Sequence, residues 1–335
     1  MTKEVRDVKN VVVRKRVRAW AQEGAGNAPD TGVAGESRED ATNSTVGNHS
    51  MPMNHLKESL EPEHLRHFGL AADPFFDLND PGDIWRNDRL KLVRAKLEQA
   101  IEHQEIAVVT GNFGAGKSTI LRHCLGALAR RGRVRIITPD RLNRREMTGD
   151  MLTAGILDEL ASDERRPREV VKRDRLAKRL LSQAIERGER PVLVIDEAHD
   201  LRDQVIISLK RLWDSGLFLR TLAIVLVGAG GKDEAGRSWG LRWELESNPD
   251  LREFSERTRL IDLGRMVDDL PDYLAWRFGR VGVELGAVFE GLAVTDLVER
   301  ARTPQLLNTL AVKAMKAAYI DGHRRVMAHH VGAVH

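Results

Sequence analysis

The sequence predicts an α/β fold, a doubly wound parallel sheet followed by an all-α C-terminal region, and three observations carry that prediction. Short all-apolar runs, IAVV from Ile106, VLVI from Val192 and TLAIVLV from Thr221, alternate with segments of helical apolar spacing, as in a parallel sheet covered by helices on both faces. Two of these runs end in chemistry-bearing residues, a glycine-rich loop after the first and Asp196-Glu197 after the second. Carboxyl ends of parallel strands are where such sheets bind ligands. Beyond Leu263 the strand signals stop and only helical patterns remain.

Taken in order, residues 1–20 form a basic arm, with Lys3, Arg6, Lys9, Arg14, Lys15, Arg16 and Arg18 against Glu4 and Asp7. It suits a phosphate-gripping arm or a solvated tail equally, and shows no helix-turn-helix pattern. Residues 21–54 are rich in Gly, Ser, Thr, Asn and Asp, too poor in large apolar side chains to repay ordering, and are expected to be a disordered linker. Met51 and Met53 stand where folded-looking sequence begins, so the upstream part is an appendage or a product of start-site choice. Residues 64–85, with Phe68, Leu70, Phe75 and Phe76 among turn formers, predict an irregular segment packed on the nucleotide-binding part; residues 86–104 predict an amphipathic helix.

The stretch IAVVTGNFGAGKST, from Ile106 to Thr119, matches GxxxxGK[ST] in its strand–loop–helix context. Gly111, Asn112, Phe113, Gly114, Ala115, Gly116, Lys117, Ser118 and Thr119 are the expected ATP-binding residues. Glycines allow a fold tight enough for backbone N–H groups to face phosphate oxygens at a helix N-terminus. Lys117 is expected on the β/γ-phosphates, and the Ser118 hydroxyl on Mg²⁺. Further along, residues 134–138 predict a strand, and residues 147–160 and 167–187 predict helices. PVLVIDEAHDL, from Pro191, is a buried strand ending in Asp196, an expected Mg²⁺ ligand, and Glu197, an expected general base. A helix over 203–214, a strand over 221–227 ending in GAGG, a polar linker and a segment 253–262 with Arg257 and Arg259 follow. Helices are expected at 267–281, 294–300 and 304–320. Domain boundaries fall at 55–263 for the nucleotide-binding domain and 264–335 for a helical lid and tail, in which His329, His330 and His335 lack metal-ligand spacing.

Hydrophobic content of 41% with 31% charged residues describes a globular chain, and no run approaches the roughly 18 apolar residues of a membrane span. Charges occupy the N-terminus where a signal peptide needs an apolar stretch, so a cytoplasmic location is expected. One cysteine, Cys124, excludes an internal disulfide. A net charge of +3 with a pI near 9.0 leaves room for a polyanion partner, and 5% aromatics argue against a stacking platform for single strands.

The P-loop, the Asp-Glu strand, the third core strand, the late arginine pair and the helical lid together resemble an AAA+ ATPase. FGLAADPF, DEAHDL and TPQLLNTL are similar to the corresponding motifs of ExeA-type secretion ATPases and of the MuB-like and TnsC/TniB-like activators of transposition. By this resemblance Arg257 is the catalytic arginine that reaches a neighbouring subunit's nucleotide, with Arg259 as substitute and a surface cap or ion pair as the plain alternative. Where the group's third strand carries a polar sensor this chain has Ala229, and where its lid offers an arginine it has Gln305, so slow turnover is expected. Secretion members are expected to carry a membrane segment that is missing here, which favours the transposition branch in a bacterial host. The implied partners are duplex DNA, a transposase and further copies of the chain in an ATP-dependent oligomer or filament, with no membrane. Arg130, Arg131, Arg133, Arg135, Arg141, Arg144 and Arg145 bracket the second strand. Arg141, Arg144 and Arg145 are the expected DNA contacts, a solvated charged face being the alternative. A protein-directed assembly ATPase is the competing function. A DEAH helicase, suggested by Asp196 to His199, fails for want of a second RecA-like unit.

Overall fold

The computed structural model describes residues 58–76, 84–139, 144–161, 166–215, 220–233, 235–264 and 266–334. The basic arm, the linker, Met51, Met53, Arg141 and His335 lie outside them.

Helix α1 (Pro62–Phe68) precedes α2 (Asp88–Glu102), which leads into strand β1 (Ile106–Gly111) and helix α3 (Lys117–Arg130). Next come β2 (Val134–Ile137), a 3₁₀ turn (Arg144–Glu146), α4 (Gly149–Leu160), α5 (Val170–Glu186) and β3 (Arg190–Ile195). Strand β3 leads through a 3₁₀ turn (Ala198–Asp200) to α6 (Asp203–Trp213) and β4 (Ala223–Lys232). After β5 (Ser238–Trp239), α7 (Gly240–Ser247), α8 (Arg252–Ser255) and β6 (Thr258–Asp262), the lid comprises α9 (Leu270–Gly279), α10 (Leu285–Val288), α11 (Gly291–Ala301), α12 (Pro304–Ile320) and α13 (Ala328–Gly332).

The main sheet runs β2-β3-β4-β1-β6, all pairs parallel, with β5 antiparallel on β4. Strand β1 lies between β4 and β6 and is buried at every residue. Its sides are covered by helices whose apolar faces recur every three or four residues: Val93, Leu97 and Ile101 on α2, and Ile120, Leu121, Cys124, Leu125 and Leu128 on α3. Asn87 caps α2 by accepting the Leu90 N–H at 2.9 Å, supplying an acceptor to one of the helix's orphan donors. Burial pushes the Cys124 thiol up to about 12, so the sole cysteine is a neutral core group.

Several expectations need correction. Strand β4 runs to Lys232, so GAGG lies inside it rather than after it. The expected polar linker holds β5 and α7 instead, and a Cβ on Gly240 would stand 2.4 Å from the Ala229 carbonyl oxygen, a clearance only glycine permits. Helix α5 starts at Val170, leaving Pro167 outside its first turn. Of the segment expected to be irregular, residues 64–68 belong to α1 while 69–76 are turns and bends, and it packs on the lid: His64 and His67 make edge contacts with Tyr319 of α12, Phe75 meets Phe278, and Arg277 of α9 donates to the Phe76 carbonyl at 3.0 Å. His329 and His330 belong to α13, where His330 is buried.

Between α6 and α7, Asp203 accepts a hydrogen bond from the Asn248 amide at 2.8 Å. Burial, then hydrogen bonding to Asp203 and its charge, pushes Glu244 up to about 7. The folded chain therefore keeps a proton on Glu244 that the unfolded chain has released, and stability falls as pH rises from the usual carboxylate range through neutrality. Glu244→Gln retains a neutral side chain there. It should raise stability at about pH 8, by less than about 1 kcal/mol because the group is partly solvated, and flatten the decline above about pH 5. Thermal unfolding against pH reads this out; an unchanged profile would assign the titration elsewhere.

Candidate nucleotide site

The loop from Gly111 to Lys117 leaves β1 where the chain crosses between β4 on one side and β6 on the other, the switch point at which open α/β sheets bind ligands. Gly114 and Gly116 have φ of 73° and 82°, the left-handed region that favours glycine. That turn brings the start of α3, whose first N–H groups have no intrahelical acceptor, back over the strand end. Lys117 is buried and its Nζ donates to the Gly111 carbonyl at 3.0 Å and the Asn112 carbonyl at 2.9 Å. Burial pulls its ammonium below the ordinary value, opposed by Glu197 and Asp196. Ser118 and Thr119 are half-buried in the first turn of α3. Phe113 is 66% exposed, 5.7 Å from Lys117 Nζ at its ring centre, with His199 at 5.8 Å and Trp239 at 6.1 Å.

Across the cleft, β3 ends at Ile195 and delivers Asp196 and Glu197. Asp196 Oδ1 accepts the Glu197 N–H at 3.0 Å. Glu197 itself adopts φ 56° and ψ 40°, a conformation that costs a non-glycine residue free energy and that clusters at functional sites. Its carboxylate stands 3.3 Å from His199 Nδ1. That same nitrogen accepts the N–H of Ala229 at 3.2 Å. His199 was not among the residues chosen from sequence. Its ring stands between Glu197 and β4 at the position where the expected polar sensor is missing, and Ala229 contributes its backbone N–H rather than a side chain. The bulge that pairs Gly111 with both Ala229 and Gly230 makes this local geometry.

Arg144, expected as a DNA contact on the loop after β2, is half-buried there, with Nε donating to the Asp196 carbonyl at 3.0 Å. Burial lowers its proton affinity, while Asp196 and Glu197 raise it. Arg145 is exposed and pairs with Asp200 at 3.2 Å. Arg131 pairs with Glu98 at 3.7 Å and Arg135 with Glu189 at 3.5 Å. Arg257 precedes β6, pairs with Asp214 and lies 6.0 Å over the Trp213 ring. Arg259 is held within its own subunit by Glu105 and Gln99 at 2.8 and 3.0 Å.

The lid closes one side of the loop. Thr303 caps α12 by accepting the Leu306 N–H, and the next residues meet the P-loop: the Gln305 N–H donates to the Gly114 carbonyl at 3.3 Å. A Cβ on Gly114 would lie 2.7 Å from Gln305 Cβ, so this glycine is required by φ and by the lid together. The donor set suits a nucleotide triphosphate with Mg²⁺: one buried ammonium, free helix-start N–H groups, a hydroxyl and two carboxylates.

The AAA domain family matches residues 99–234, from the end of α2 past the end of β4. No curated protein matches the chain. Among solved structures, the chain is similar to Drosophila ORC bound to DNA, at 14% identity over 96% of this chain and 72% of that chain, with a TM-score of 0.54. It is also similar to Cdc6p from Pyrobaculum aerophilum, at 18% identity over 80% and 68% with a TM-score of 0.49. The RuvB Holliday junction branch migration motor of Thermotoga maritima aligns at 19% identity over 73% and 67%, with a TM-score of 0.43. Residues 99–234 thus match the AAA domain family, and the chain has the P-loop AAA+ fold with a helical C-terminal region.

Proposed function

We propose that this AAA+ chain is a slow ATPase that uses ATP to assemble on duplex DNA without sequence preference and to stimulate a partner transposase. The observation that carries the ATPase reading is the convergence of Lys117, Asp196 and Glu197 around one strand switch point. In it, Lys117 and the loop N–H groups bind the phosphates, and Glu197 takes a proton from the attacking water. Mg²⁺, with Ser118 and Asp196 as its protein ligands, supplies neutralisation of charge on the β- and γ-oxygens. Slow turnover follows from Ala229 and Gln305, neither of which offers the reacting phosphate a charged or hydroxyl group.

The DNA part rests on the arginines around β2 and on the motif resemblance. With Arg144 drawn to Asp196, Arg141 and Arg145 are left as the expected phosphate contacts. Random-sequence duplex should bind only with ATP or a non-hydrolysable analogue, in multi-subunit assemblies. Arg141→Ala with Arg145→Ala should weaken all sequences alike and flatten the log-affinity against log-salt slope by about 0.9 per lost contact. ATP binding should be retained. Absence of nucleotide-dependent duplex binding at about 50 mM salt, where phosphate contacts are strong, would sink the DNA reading and put the protein-directed ATPase in its place.

A further inference from the structure

Far along the chain from the P-loop, four side chains that ligate metals converge between the end of α12 and the start of α13. Asp321, His323, His329 and His330 each offer a ligand atom, and these atoms lie within 4.8 Å of one another. Their placement is built in. Asp321 is the C-cap of α12, Gly322 follows with φ 72°, and the His323 N–H returns to the Ala318 carbonyl at 2.8 Å, so the turn carrying Asp321 and His323 is fixed by helix-end hydrogen bonds. His329 and His330 occupy the first turn of α13, their ring centres 3.9 Å apart; the His323 ring lies 5.9 Å from His329 and 5.2 Å from His330.

A second observation marks the cluster. His330 is 1% exposed. Its Nε2 is buried and met only by a long, poorly aligned contact to Asp321 Oδ2 at 3.4 Å. A buried polar nitrogen that is only weakly met costs free energy that a better-placed partner would recover. Three imidazoles and a carboxylate around such an atom have the composition of a borderline divalent-metal site, and four ligands at 2.0–2.2 Å in a tetrahedron are separated by about 3.4 Å. Closing the cluster from its present spread therefore asks for side-chain adjustments of about an ångström.

We propose that Asp321, His323, His329 and His330 form a binding site for a divalent transition metal of the zinc class. Proton accounting gives the site a structural consequence. His330 Nδ1 accepts the Met327 N–H at 2.8 Å, so the neutral ring carries its proton on Nε2. Coordination at Nε2 requires the other tautomer: that proton leaves through solvent, one is taken up at Nδ1, and the Met327 N–H loses its acceptor. Metal binding thereby reorganises the entry into α13.

The test uses the full chain, stripped with chelator and free of nucleotide, titrated with Co²⁺ as the spectroscopic probe and then with Zn²⁺ in competition. A visible ligand-field band of tetrahedral intensity at one equivalent, displaced by Zn²⁺, is expected, together with faster hydrogen exchange at the Met327 amide. His323→Ala with His329→Ala, both surface positions, should lower Zn²⁺ affinity more than about 100-fold, since loss of an outer-shell partner alone costs 10–100-fold. Asp196→Asn should leave the band intact. No tetrahedral band and no retained zinc, or a band that survives the double substitution but disappears in Asp196→Asn, would overturn the proposal.

Discussion

Glu197→Gln should bind ATP with little change in affinity and hydrolyse it about 10²- to 10⁴-fold more slowly, the usual contribution of a positioned general base. The substitution keeps the shape of the side chain and leaves the strained backbone at φ 56°, which Asp196 supports, in place. Only proton acceptance from water is lost. Lys117→Ala serves as the contrast: it removes the buried ammonium that the loop holds between two carbonyls, and should abolish most ATP binding. Single-turnover hydrolysis alongside a nucleotide-binding titration separates the two effects. Wild-type turnover in Glu197→Gln would show that the carboxylate is not the base.

Arg257→Ala should retain ATP binding yet lose about 10³-fold or more in turnover, the lower range for an arginine supplied to a phosphoryl-transfer site. The reason for expecting action in trans is geometric. Thr258 aligns with Ile106 at the start of β1, whereas the P-loop leaves its end at Gly111, about 17 Å away at 3.3 Å per residue. An arginine preceding β6 cannot reach a phosphate held by its own loop. Mixing Arg257→Ala with Lys117→Ala should therefore restore part of the activity, each subunit completing the other's site. With mixed assembly confirmed, no rescue would remove Arg257 from the role and turn attention to Arg259, which would first have to leave Glu105 and Gln99.

The strand–loop–helix and strand–carboxylate elements of the candidate site were legible because their signals are local. A complete glycine loop between strand and helix, and an aliphatic run closing on two carboxylates, each state their chemistry within a dozen residues. Helix α12 was equally readable from its proline at the first turn and its apolar spacing, and its observed bounds coincide with the expected ones. What escaped depends on partners distant in sequence. Arg144 read as one of a row of DNA-contacting arginines until the fold set it against the Asp196 carbonyl. His199 was a letter in DEAH until β4 brought the Ala229 N–H to it. The length of β4 was hidden by its own glycines, which ordinarily end a strand but here admit the close approach of Gly240 and Leu241. The histidine cluster has no sequence signature at all, because its four members meet only through the turn between two helices.

The packing of α1 on the lid also bears on how the chain acquires its structure during synthesis. Lys316 pairs with Glu58 across 258 positions, and His67 Nε2 meets the His323 carbonyl across 256. The sheet can assemble while the later helices are still being translated, but α1 leaves the ribosome long before the surface that receives it exists. Chains emerge at about 5–20 residues per second, so this first helix must wait, tethered and uncovered, for α12 and the turn beyond it. Such long-range closure belongs among the slow steps of folding, and a ribosome stalled shortly before α12 would present the apolar side of α1 to chaperones.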